Sequence, residues 1–459
     1  MPTDQGDKRD DEEEVYRVLV TGANSGLGFS ICCRVIDEFL ETRPASHSLH
    51  ILFSTRDVKK SDDTQRRLRL HLDHTVYKSH NKRPLTSVAR IKLEGVQVDL
   101  LRFTTIKALA KQLLQRGQQL DAVVWNAGIA NWRGLNWLSA TWLVLTDLVH
   151  TTTYPSYMLC EVGLLAKPQL ADSKSDAKSI SSSQTPPDDS EPRVGRIFAA
   201  NVFGHYLLTH WLRPLFTSQT RIIWTSSITA LTETFSPADI QSLTNEPSYE
   251  GSKRLTDLLV LTSELPSTAS YLDSFLPVSS SAAEKKGKVD ARPKMFVTHP
   301  GVVGTSIADL NPVMAFFMVL VFYIARWLGS PWHGITPYKG AVAVVKLLLS
   351  PTPSSSSGGD GGQDDIIHSE SISGKGKWGS AVNVWGQEYV GRTEVEGWGF
   401  GGKIGETPPG SVTGSLGRFR GWKELTEEGR VEFEEQGRQA WKEMEAMRVD
   451  WERRLGEVD

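Results

Sequence analysis

The feature that most constrains the fold is an alternation of short apolar runs with stretches of helical periodicity. Six runs predict β-strands: YRVLVTG, HILFSTR, VARIKLEGVQVDL, LDAVVWNAG, RIIWTSS and KMFVTHPG. Helical periodicity marks SGLGFSICCRVIDEFLE, TTIKALAKQLLQRG, RIFAANVFGHYLLTHWLRPLF and the segment that contains Tyr249. Because parallel neighbours need a crossover connection, usually a helix, this alternation predicts an α/β fold. We expect a doubly wound parallel sheet with helices on both faces.

Composition excludes some classes of function. The 459 residues carry a net charge of −3, with 51 Lys+Arg against 54 Asp+Glu, so bulk charge gives no reason to expect a nucleic-acid partner. The cysteines are Cys32, Cys33 and Cys160, and the adjacent pair lies in an apolar helical stretch. They predict small core residues in a reducing compartment rather than a disulfide framework.

Composition also divides the chain into segments. We expect a disordered acidic tail over 1–14, which lacks the apolar run of a secretory signal. The other predicted segments are a domain over 15–350 with flexible insertions near 171–193 and 278–292, a low-complexity loop over 351–377, and an extension over 378–459. Within the extension, 418–456 predicts a long charged helix that carries Trp422, Trp441 and Trp451. Such a helix could pack on the domain or engage a partner.

An apolar segment near 310–332 contains PVMAFFMVLVFYIA, fourteen residues without a charge. A helix that spans a bilayer needs about 20 apolar residues, so this one is short. One interpretation is a buried core helix. The other is a helix that enters one leaflet, with Arg326, Trp327 and Trp332 at the headgroups and the Trp-rich stretch 132–149 beside it.

VLVTGANSGLG places a glycine-rich turn between the first strand and the first helix. Gly22 permits a tight turn, Gly26 lets the backbone approach a pyrophosphate, and Gly28 allows close packing of helix on sheet. The N-terminus of the helix favours the negative charge of a phosphate. A turn in this position predicts a dinucleotide site.

The ends of the second and third strands bear on which dinucleotide is bound. In FSTRD, Ser54, Thr55 and Arg56 precede Asp57. An acidic residue here would bind a ribose 2′-hydroxyl, whereas an arginine can pair with a 2′-phosphate. The order favours NADPH over NADH, although Asp57 follows directly. Asp99, after the third strand, is expected at the adenine edge.

Polar residues follow the later strands or interrupt a helix. Asn126 in WNAG ends the fourth strand, where its backbone can line the cofactor ribose. Asn201 lies inside a predicted helix, an unfavourable place for Asn unless its side chain has a task. Ser226 and Ser227 end a strand at the edge where open α/β sheets bind ligands. THPGVVGT ends in Thr305, which can close over a nicotinamide carboxamide and phosphate.

Tyr249 and Lys253 lie four residues apart on a predicted helix, a spacing that carries little information alone. The order TGxxxGxG, NAG, helical Asn, SS, YxxxK and PGxxxT does carry information. Over residues 15–307 it resembles the short-chain dehydrogenase/reductase superfamily, which implies a single doubly wound Rossmann domain. FAANVFGHYLLT, IIWTSSIT, PSYEGSKRLTDLL and ARWLGSPWHGITPYKGA are similar to the fungal 3-keto-steroid reductases of ergosterol synthesis.

The resemblance implies roles for individual residues. Tyr249 would donate the proton, Lys253 would lower the pKa of Tyr249 and bond the nicotinamide ribose, Ser227 would bond the substrate carbonyl, and Asn201 would hold a water. The implied cofactor-binding residues are Thr21, Gly22, Asn24, Ser25, Gly26, Leu27, Gly28, Thr55, Arg56, Asp99, Asn126, Ala127, Gly128, Tyr249, Lys253, Pro300, Gly301, Val303 and Thr305. No metal ligands are predicted.

One departure from the superfamily pattern concerns the serine. Ser227 and Tyr249 are 22 positions apart, more than is usual in the superfamily. The intervening FSPADIQSLTNEPS resembles an insertion that could form a lid, and it leaves Ser226 as an alternative to Ser227.

The resemblance also implies a substrate, a location and partners. Members of this family reduce the C3 ketone of a 4-demethylated sterol to the 3β-hydroxyl with NADPH. They work at the cytosolic face of the endoplasmic reticulum membrane and at lipid droplets. Implied partners are the other C4-demethylation enzymes and, in some fungi, the oxidosqualene cyclase. Two alternatives remain: a reductase of another lipid carbonyl, such as a retinal-like one, and a non-catalytic NADPH-binding scaffold.

Overall fold

The computed structural model describes residues 14–78, 85–170, 191–277, 292–304, 312–350 and 366–456. Several predicted segments lie wholly or mostly outside these ranges: the acidic tail, the insertions near 171–193 and 278–292, and the first part of the 351–377 loop.

The described residues form one large sheet and one small one. The strands are β1 (Glu14–Val20), β2 (His47–Thr55), β3 (Ile91–Gln97), β4 (Ala122–Trp125), β5 (Trp132–Leu135), β6 (Met158–Cys160), β7 (Arg221–Thr225), β8 (Lys294–His299), β9 (Lys377–Val382) and β10 (Glu388–Thr393). The large sheet has the order β10-β9-β8-β7-β4-β1-β2-β3, and every neighbouring pair is parallel except β9 with β10. β5 and β6 pair as a separate antiparallel ribbon. The six predicted strands are confirmed as β1 to β4, β7 and β8.

Helices connect the strands and cover the sheet. They are α1 (Gly26–Thr42), α2 (Val58–Lys78), α3 (Phe103–Arg116), α4 (Trp137–Thr146), α5 (Leu148–Thr153), α6 (Arg196–Phe198), α7 (Gly204–Leu212), α8 (Ser248–Leu261), α9 (Ala269–Phe275), α10 (Pro312–Trp327), α11 (Pro337–Gly340), α12 (Val342–Leu349), α13 (Ile366–Ser373) and α14 (Glu427–Leu455). A π-helical turn (Ala199–Phe203) joins α6 to α7. Short 3₁₀ turns lie at Leu85–Val88, Arg213–Leu215, Thr232–Thr234, Pro237–Asp239 and Pro266–Thr268.

The strand order reverses between β1 and β4. Val18, Leu19 and Val20 of β1 are fully paired, with β2 on one side and β4 on the other. Their apolar side chains are buried on both faces, as expected for a central parallel strand. In open sheets of this kind, ligands bind at the carboxyl ends of the strands beside such a reversal. The predicted doubly wound Rossmann fold is confirmed, and its reversal point places the site.

Two apolar cores lie on opposite faces of the sheet. One is formed largely by α1, α2 and α12, and the other by α3, α7, α8 and α14. Cys32 and Cys33 are buried in α1, as predicted for small core residues. Cys160 differs, because it lies half-buried on β6 outside both cores.

The predicted boundary near residue 378 is wrong. It would cut β9, which pairs in parallel with β8 and extends the large sheet. Ile366–Ser373 is helical, so the prediction of a loop is wrong for this part of 351–377 as well. The strand sequence KWGSAV contains glycine and serine and gives a weak strand signal, yet all six residues are buried in the structure. The domain therefore includes β9 and β10.

The long charged helix is confirmed but begins later than predicted. It starts at Glu427, where Thr426 accepts a hydrogen bond from the backbone of Gly429, and Trp422 lies before it. Trp441 and Trp451 are buried against the helices of the second core. Burying an indole removes roughly 150–250 Å² from water, equivalent to about 4–6 kcal/mol. α14 is therefore a layer of the domain.

Candidate active site

The glycine-rich turn has the shape that a dinucleotide requires. Gly22 has a φ of +68°, and a Cβ at this position would lie 2.8 Å from Ala127 Cα. A Cβ on Gly28 would lie 2.3 Å from the carbonyl oxygen of Gly22. Neither position has room for a side chain, so α1 begins close against the end of β4. The residues present fit a nucleotide pyrophosphate at this helix N-terminus.

The N-terminus of α1 faces a large cavity. Asn24, Ser25, Gly26 and Leu27 line the wall at this point. Ser25 is the N-cap residue, and its hydroxyl makes no capping hydrogen bond in the described structure. The first amides of α1 are therefore left for another acceptor, and the cofactor-binding role of these residues stays a prediction.

Thr21 is an exception among the predicted cofactor contacts. Its side chain is fully buried and does not line the cavity. Its hydroxyl accepts hydrogen bonds from the backbone amides of Asn126 and Ala127, at 3.0 and 3.1 Å, and meets His205 Nε2 at 2.9 Å. Thr21 therefore holds the turn after β4 in place rather than facing a ligand. Burial lowers the pKa of His205 to about 3, which keeps this histidine neutral.

Arg56 and Asp57 have different surroundings at the tip of β2. Arg56 is exposed, lines the cavity, and forms no hydrogen bond or ion pair with any described residue. Asp57 lies outside the cavity lining and accepts a hydrogen bond of 2.8 Å from the backbone of Lys60. That bond lowers the pKa of Asp57 and starts α2. Thr55 and Asp99 also line this end of the cavity.

Tyr249, Lys253 and Ser227 come together at the other end of the cofactor wall. Tyr249 lies in the first turn of α8, and Lys253 Nζ lies 5.5 Å from the centroid of its ring. The buried Lys253 ammonium donates a hydrogen bond of 2.8 Å to the carbonyl oxygen of Thr225. Ser227 Oγ contacts Thr229 Oγ1 at 2.9 Å and also hydrogen-bonds Tyr249. All three side chains face the cavity.

The ionisation of Tyr249 differs from the expectation. Burial, followed by the neighbouring Glu250, raises the pKa of Tyr249 above its usual value, and the hydrogen bond from Ser227 offsets only part of this rise. The predicted lowering of the Tyr249 pKa is therefore not seen, because desolvation and the Glu250 carboxylate both raise it and only the hydrogen bond from Ser227 lowers it. Burial lowers the pKa of Lys253 to about 8.

The choice between the two serines is decided by their partners. Ser226 is buried, and its hydroxyl donates to the backbone carbonyl of Lys253 at 3.2 Å. Ser227 is only half-buried and lies beside Tyr249. The geometry therefore favours Ser227 as the hydroxyl that meets a substrate.

Asn201 lies in the π-helical turn, a deviation that is frequent at functional sites. Its Oδ1 accepts from the amide of Ile129 at 2.8 Å, and its Nδ2 donates to the Ile129 carbonyl and to Ser252 Oγ, both at 3.0 Å. Asn201 thus ties the turn after β4 to α8. No contact among the described residues joins it to Lys253, and its water-holding role stays a prediction.

The loop after β8 is held by the segment SPWH, residues 330–333. Gly301 has a φ of +69°, and the amide of Val302 donates to the Trp332 carbonyl at 2.7 Å. Pro300, Gly301 and Val303 line the cavity, and their contact with a cofactor stays a prediction. Thr305 lies outside the described residues. Trp332 itself is fully buried and donates to the Gly417 carbonyl, so its predicted place at lipid headgroups is wrong.

One cavity of about 940 Å³ extends from the glycine-rich turn and Arg56 to Ser227, Tyr249 and Lys253. Its cofactor side is lined by Asn126, Ala127 and Gly128 in addition to the residues named above. Its other side is apolar and is lined by Trp132, Leu135, Trp137, Val144, Leu145, Met158, Met314, Phe317, Met318, Val321 and Phe322. The predicted lid is wrong, because none of the described residues 235–248 lines the cavity. The apolar walls come from α4, α10 and the β5–β6 ribbon instead.

An exposed apolar surface surrounds the mouth of the cavity. On α4, Leu138 is 87% exposed and Trp142 69%, and on α10, Phe316 is 66% exposed and Trp327 63%. The interpretation of α10 as a buried core helix is therefore wrong. Arg326 is largely buried, with its guanidinium over the Tyr323 ring. In the part of the chain that is described, no helix has both the length and the apolarity to cross a bilayer.

Two residues near Tyr249 were missed by sequence reasoning. The ring of Trp132 meets Tyr249 edge to face at 5.1 Å. Glu250 lines the cavity, and burial raises the pKa of its carboxyl group. Neither belongs to a motif, and only the packing of β5 against α8 brings Trp132 here.

Comparison with known proteins gives a consistent family. No protein-family model matches the chain. The 3-keto-steroid reductase erg27 of Aspergillus fumigatus is 39% identical over 96% of this chain and 95% of its own length. The 3-keto-steroid reductase ERG27 of Gibberella zeae is 36% identical over 97% of this chain and 96% of its own length. That of Saccharomyces cerevisiae is 28% identical over 82% of this chain and 89% of its own length.

Among solved structures, L-sorbose reductase from Gluconobacter frateurii, crystallised with NADPH and L-sorbose, aligns over 73% of this chain and 90% of its own, at 14% identity and a TM-score of 0.38. Two findings lead to one conclusion. The first two relatives match this chain over nearly its whole length, and a Ser227–Tyr249–Lys253 group lies at the reversal point of a Rossmann sheet. The chain belongs to the fungal 3-keto-steroid reductases, which are oxidoreductases.

Proposed function

We propose that this protein reduces the C3 ketone of a 4-demethylated sterol to the 3β-hydroxyl, with NADPH, in ergosterol synthesis. One observation carries the proposal: Ser227 and Tyr249 lie where the polar and apolar sides of a single cavity of about 940 Å³ meet. A nearly all-hydrocarbon substrate with one ketone fits an apolar wall that has polar groups at one point. The relatives are named for the same substrate class.

The chain's own residues supply the proton and the orientation. When bound, the reduced nicotinamide supplies a hydride to the carbonyl carbon. Ser227 Oγ donates a hydrogen bond to the carbonyl oxygen and stabilises the negative charge that develops there. Tyr249 donates its proton to that oxygen, and its raised pKa keeps the phenol protonated and ready to donate. The Lys253 ammonium stabilises the phenolate that remains.

The preference for NADPH rests on Arg56. Its guanidinium is exposed at the cavity and is free to pair with a 2′-phosphate. Asp57, the residue that could have favoured NADH, is engaged at the start of α2. The sequence order favours NADPH, and the different surroundings of the two side chains support the same choice.

The apolar surface of α4 and α10 supports a location at a lipid surface. We define this mouth surface by Trp137, Leu138, Trp142, Leu145, Phe316, Phe317, Leu320 and Trp327. Residues of both helices also line the cavity, so a sterol could pass from lipid to Tyr249 without crossing water. We propose the cytosolic face of the endoplasmic reticulum and lipid droplets as its location. The other C4-demethylation enzymes and the oxidosqualene cyclase are proposed partners on the resemblance alone.

The test is turnover by the purified protein. A 3-keto sterol in detergent is mixed with NADPH, and both NADPH absorbance and the 3β-alcohol are measured. Consumption of NADPH with formation of the alcohol supports the proposal, and its absence would remove it. Parallel reactions contain a retinal-like aldehyde or a non-steroid lipid ketone in place of the sterol. Turnover of one of these without turnover of the 3-keto sterol would identify a different lipid carbonyl as the substrate. NADPH binding without turnover of any of these would favour a scaffold.

A further inference from the structure

A buried ion pair that no motif predicts lies directly behind Tyr249 and Lys253. Asp257 follows Lys253 by one turn on the same face of α8 and is fully buried. β9 brings Lys377 to this point, with its Nζ 2.6 Å from Asp257 Oδ2. The same ammonium donates a second hydrogen bond, also 2.6 Å, to the backbone carbonyl of Ser227. Lys377 therefore joins β9, α8 and the serine of the site.

We propose that Lys377 is a positioning residue: anchored by Asp257, it fixes the backbone at Ser227 and so aims the serine hydroxyl at the substrate carbonyl. The proposal rests on the function proposed above for Ser227 and Tyr249. Ser227 stands in the connection between β7 and α8, where the backbone is held by fewer hydrogen bonds than in a strand. A charge-assisted hydrogen bond from a buried ammonium holds a carbonyl more firmly than a neutral donor does.

A role in stability alone explains the pair poorly. A buried ion pair offsets the cost of desolvation only when its geometry is good and its remaining polar atoms are hydrogen-bonded. Asp257 Oδ1 is buried and has no hydrogen-bond partner among the described residues. Two apolar side chains of similar volume would hold β9 against α8 at least as well. What they would lack is the charged donor of the Ser227 carbonyl, which would keep only the longer hydrogen bond of 3.4 Å from the Ala230 amide.

The pair also acts on Lys253 through space. The ionisable groups around Lys253 are Tyr249 and Asp257 on α8, Lys377 on β9 and the neutral His205 on α7. Burial lowers the pKa of Lys253, the Asp257 carboxylate raises it, and the Lys377 ammonium lowers it further. The two members of the pair thus have opposite effects on the same lysine.

The main test is the double variant Lys377→Met/Asp257→Asn, which removes both charges and leaves neither one buried alone. We expect it to fold and to bind NADPH as the wild type does, with kcat lowered about 100-fold and KM for the sterol changed far less. Thermal unfolding and NADPH titration check the fold and the cofactor site. A double variant with wild-type kcat overturns the proposal.

The single variants supply a readout that a structural role would not move. If protonated Lys253 is needed, kcat/KM falls as pH rises through its pKa of about 8. Asp257→Asn removes the anion that raises this pKa, so the fall should move to lower pH. Lys377→Met removes the cation that lowers it, so the fall should move to higher pH. Shifts in the same direction, or no shift, contradict the assignment.

A second buried ion pair provides the matched control. Glu445 and Arg448 on α14 are also buried, with side chains 8% and 5% exposed, and neither lines the cavity. Arg448→Met/Glu445→Gln should lower the unfolding temperature and leave kcat unchanged. Equal losses of kcat in the two double variants would mean that general stability explains both.

The proposal can fail separately from the proposed function. If the wild type reduces no ketone, the function fails, and hydrogen–deuterium exchange of residues 226–232 tests Lys377 without turnover. Faster exchange in the Lys377→Met/Asp257→Asn variant supports positioning, and unchanged exchange overturns it.

Discussion

The two sides of the cavity are built in different ways. The cofactor side is made mostly of backbone: a turn at Gly22, the start of α1 and the loop at Gly301, each at the end of a strand of one sheet. The substrate side is made of side chains on α4, α10 and the β5–β6 ribbon, all of which lie outside that sheet. Backbone sites depend on glycines and strand ends, so they leave a pattern in the sequence. An apolar wall leaves only apolar residues in the sequence, and such residues occur throughout any folded chain.

The largest expected effect comes from a variant that removes the proton donor and leaves both sides of the cavity unchanged. Tyr249→Phe removes the proton donor and keeps the ring that packs on Trp132. We expect kcat to fall about 10³-fold, within the range that general acid catalysis contributes. NADPH titration and sterol binding should be unchanged. Retained turnover would show that the proton comes from another group.

The next effect tests whether the cofactor side depends on backbone shape. In Gly22→Ala, the new Cβ would lie 2.8 Å from Ala127 Cα, at a φ of +68°. We expect NADPH affinity to fall at least about 10-fold, because the turn must shift to relieve contact and strain of about 1–3 kcal/mol.

Gly117→Ala is the matched control for this change. Gly117 has a similar φ of +62° but no atom within 4 Å of the added Cβ. It should lower stability by about 1 kcal/mol and leave NADPH affinity intact. Equal losses of affinity in the two variants would show that strain alone, rather than the shape of the turn, matters.

A smaller effect is expected from Arg56, an exposed side chain on the cofactor side. Arg56→Ala should reduce kcat/KM with NADPH about 10- to 100-fold, which corresponds to a charge-assisted hydrogen bond of about 1.5–3 kcal/mol, and leave NADH unaffected. Kinetics with both cofactors measure the preference. Arg66→Ala, which removes an exposed arginine from α2 outside the cavity, serves as the control. An unchanged preference would assign 2′-phosphate recognition to another residue.

The smallest effect concerns the substrate side. Leu138 and Trp142 belong to the mouth surface but do not line the cavity. Leu138→Ser/Trp142→Ser should therefore weaken binding to phospholipid vesicles, measured by flotation. The loss of one partly buried apolar side chain should lower vesicle affinity by about 10-fold, and the loss of two should lower it further. Turnover of a detergent-solubilised sterol should not change. Leu70→Ser, at another exposed leucine, is the control. Equal vesicle binding by both variants would place lipid contact elsewhere.

The sequence predicts the cofactor side well for physical reasons. Six strands, the glycine turn and the position of Tyr249 follow from periodicity and from the few residues that strand ends tolerate. Thr21 is the instructive error, because the motif marks a residue that shapes the site without touching a ligand. Its burial behind Asn126 is a property of the folded sheet.

The remaining parts depend on contacts between distant segments. Ser226 and Ser227 are adjacent and chemically identical, and they differ only in their partners in the fold, the Lys253 carbonyl for Ser226 and Tyr249 for Ser227. β9 has a weak strand signal and forms because β8 offers a pairing edge. Trp327 and Trp332 occur five residues apart in an apolar stretch, yet one is exposed and the other fully buried. Local pattern contains none of this information.

The pairing of β9 with β8 has a consequence for synthesis on the ribosome. β8 ends at His299, and its partner begins only at Lys377. While the intervening chain is being made, one edge of β8 has no neighbour, and open edges of this kind favour association between nascent chains. Completion of β9 closes that edge and delivers the Lys377 ammonium to Ser227 in the same event. A truncated product that stops before β9 would thus carry every familiar motif residue up to Gly301 and still lack the contact that secures its serine.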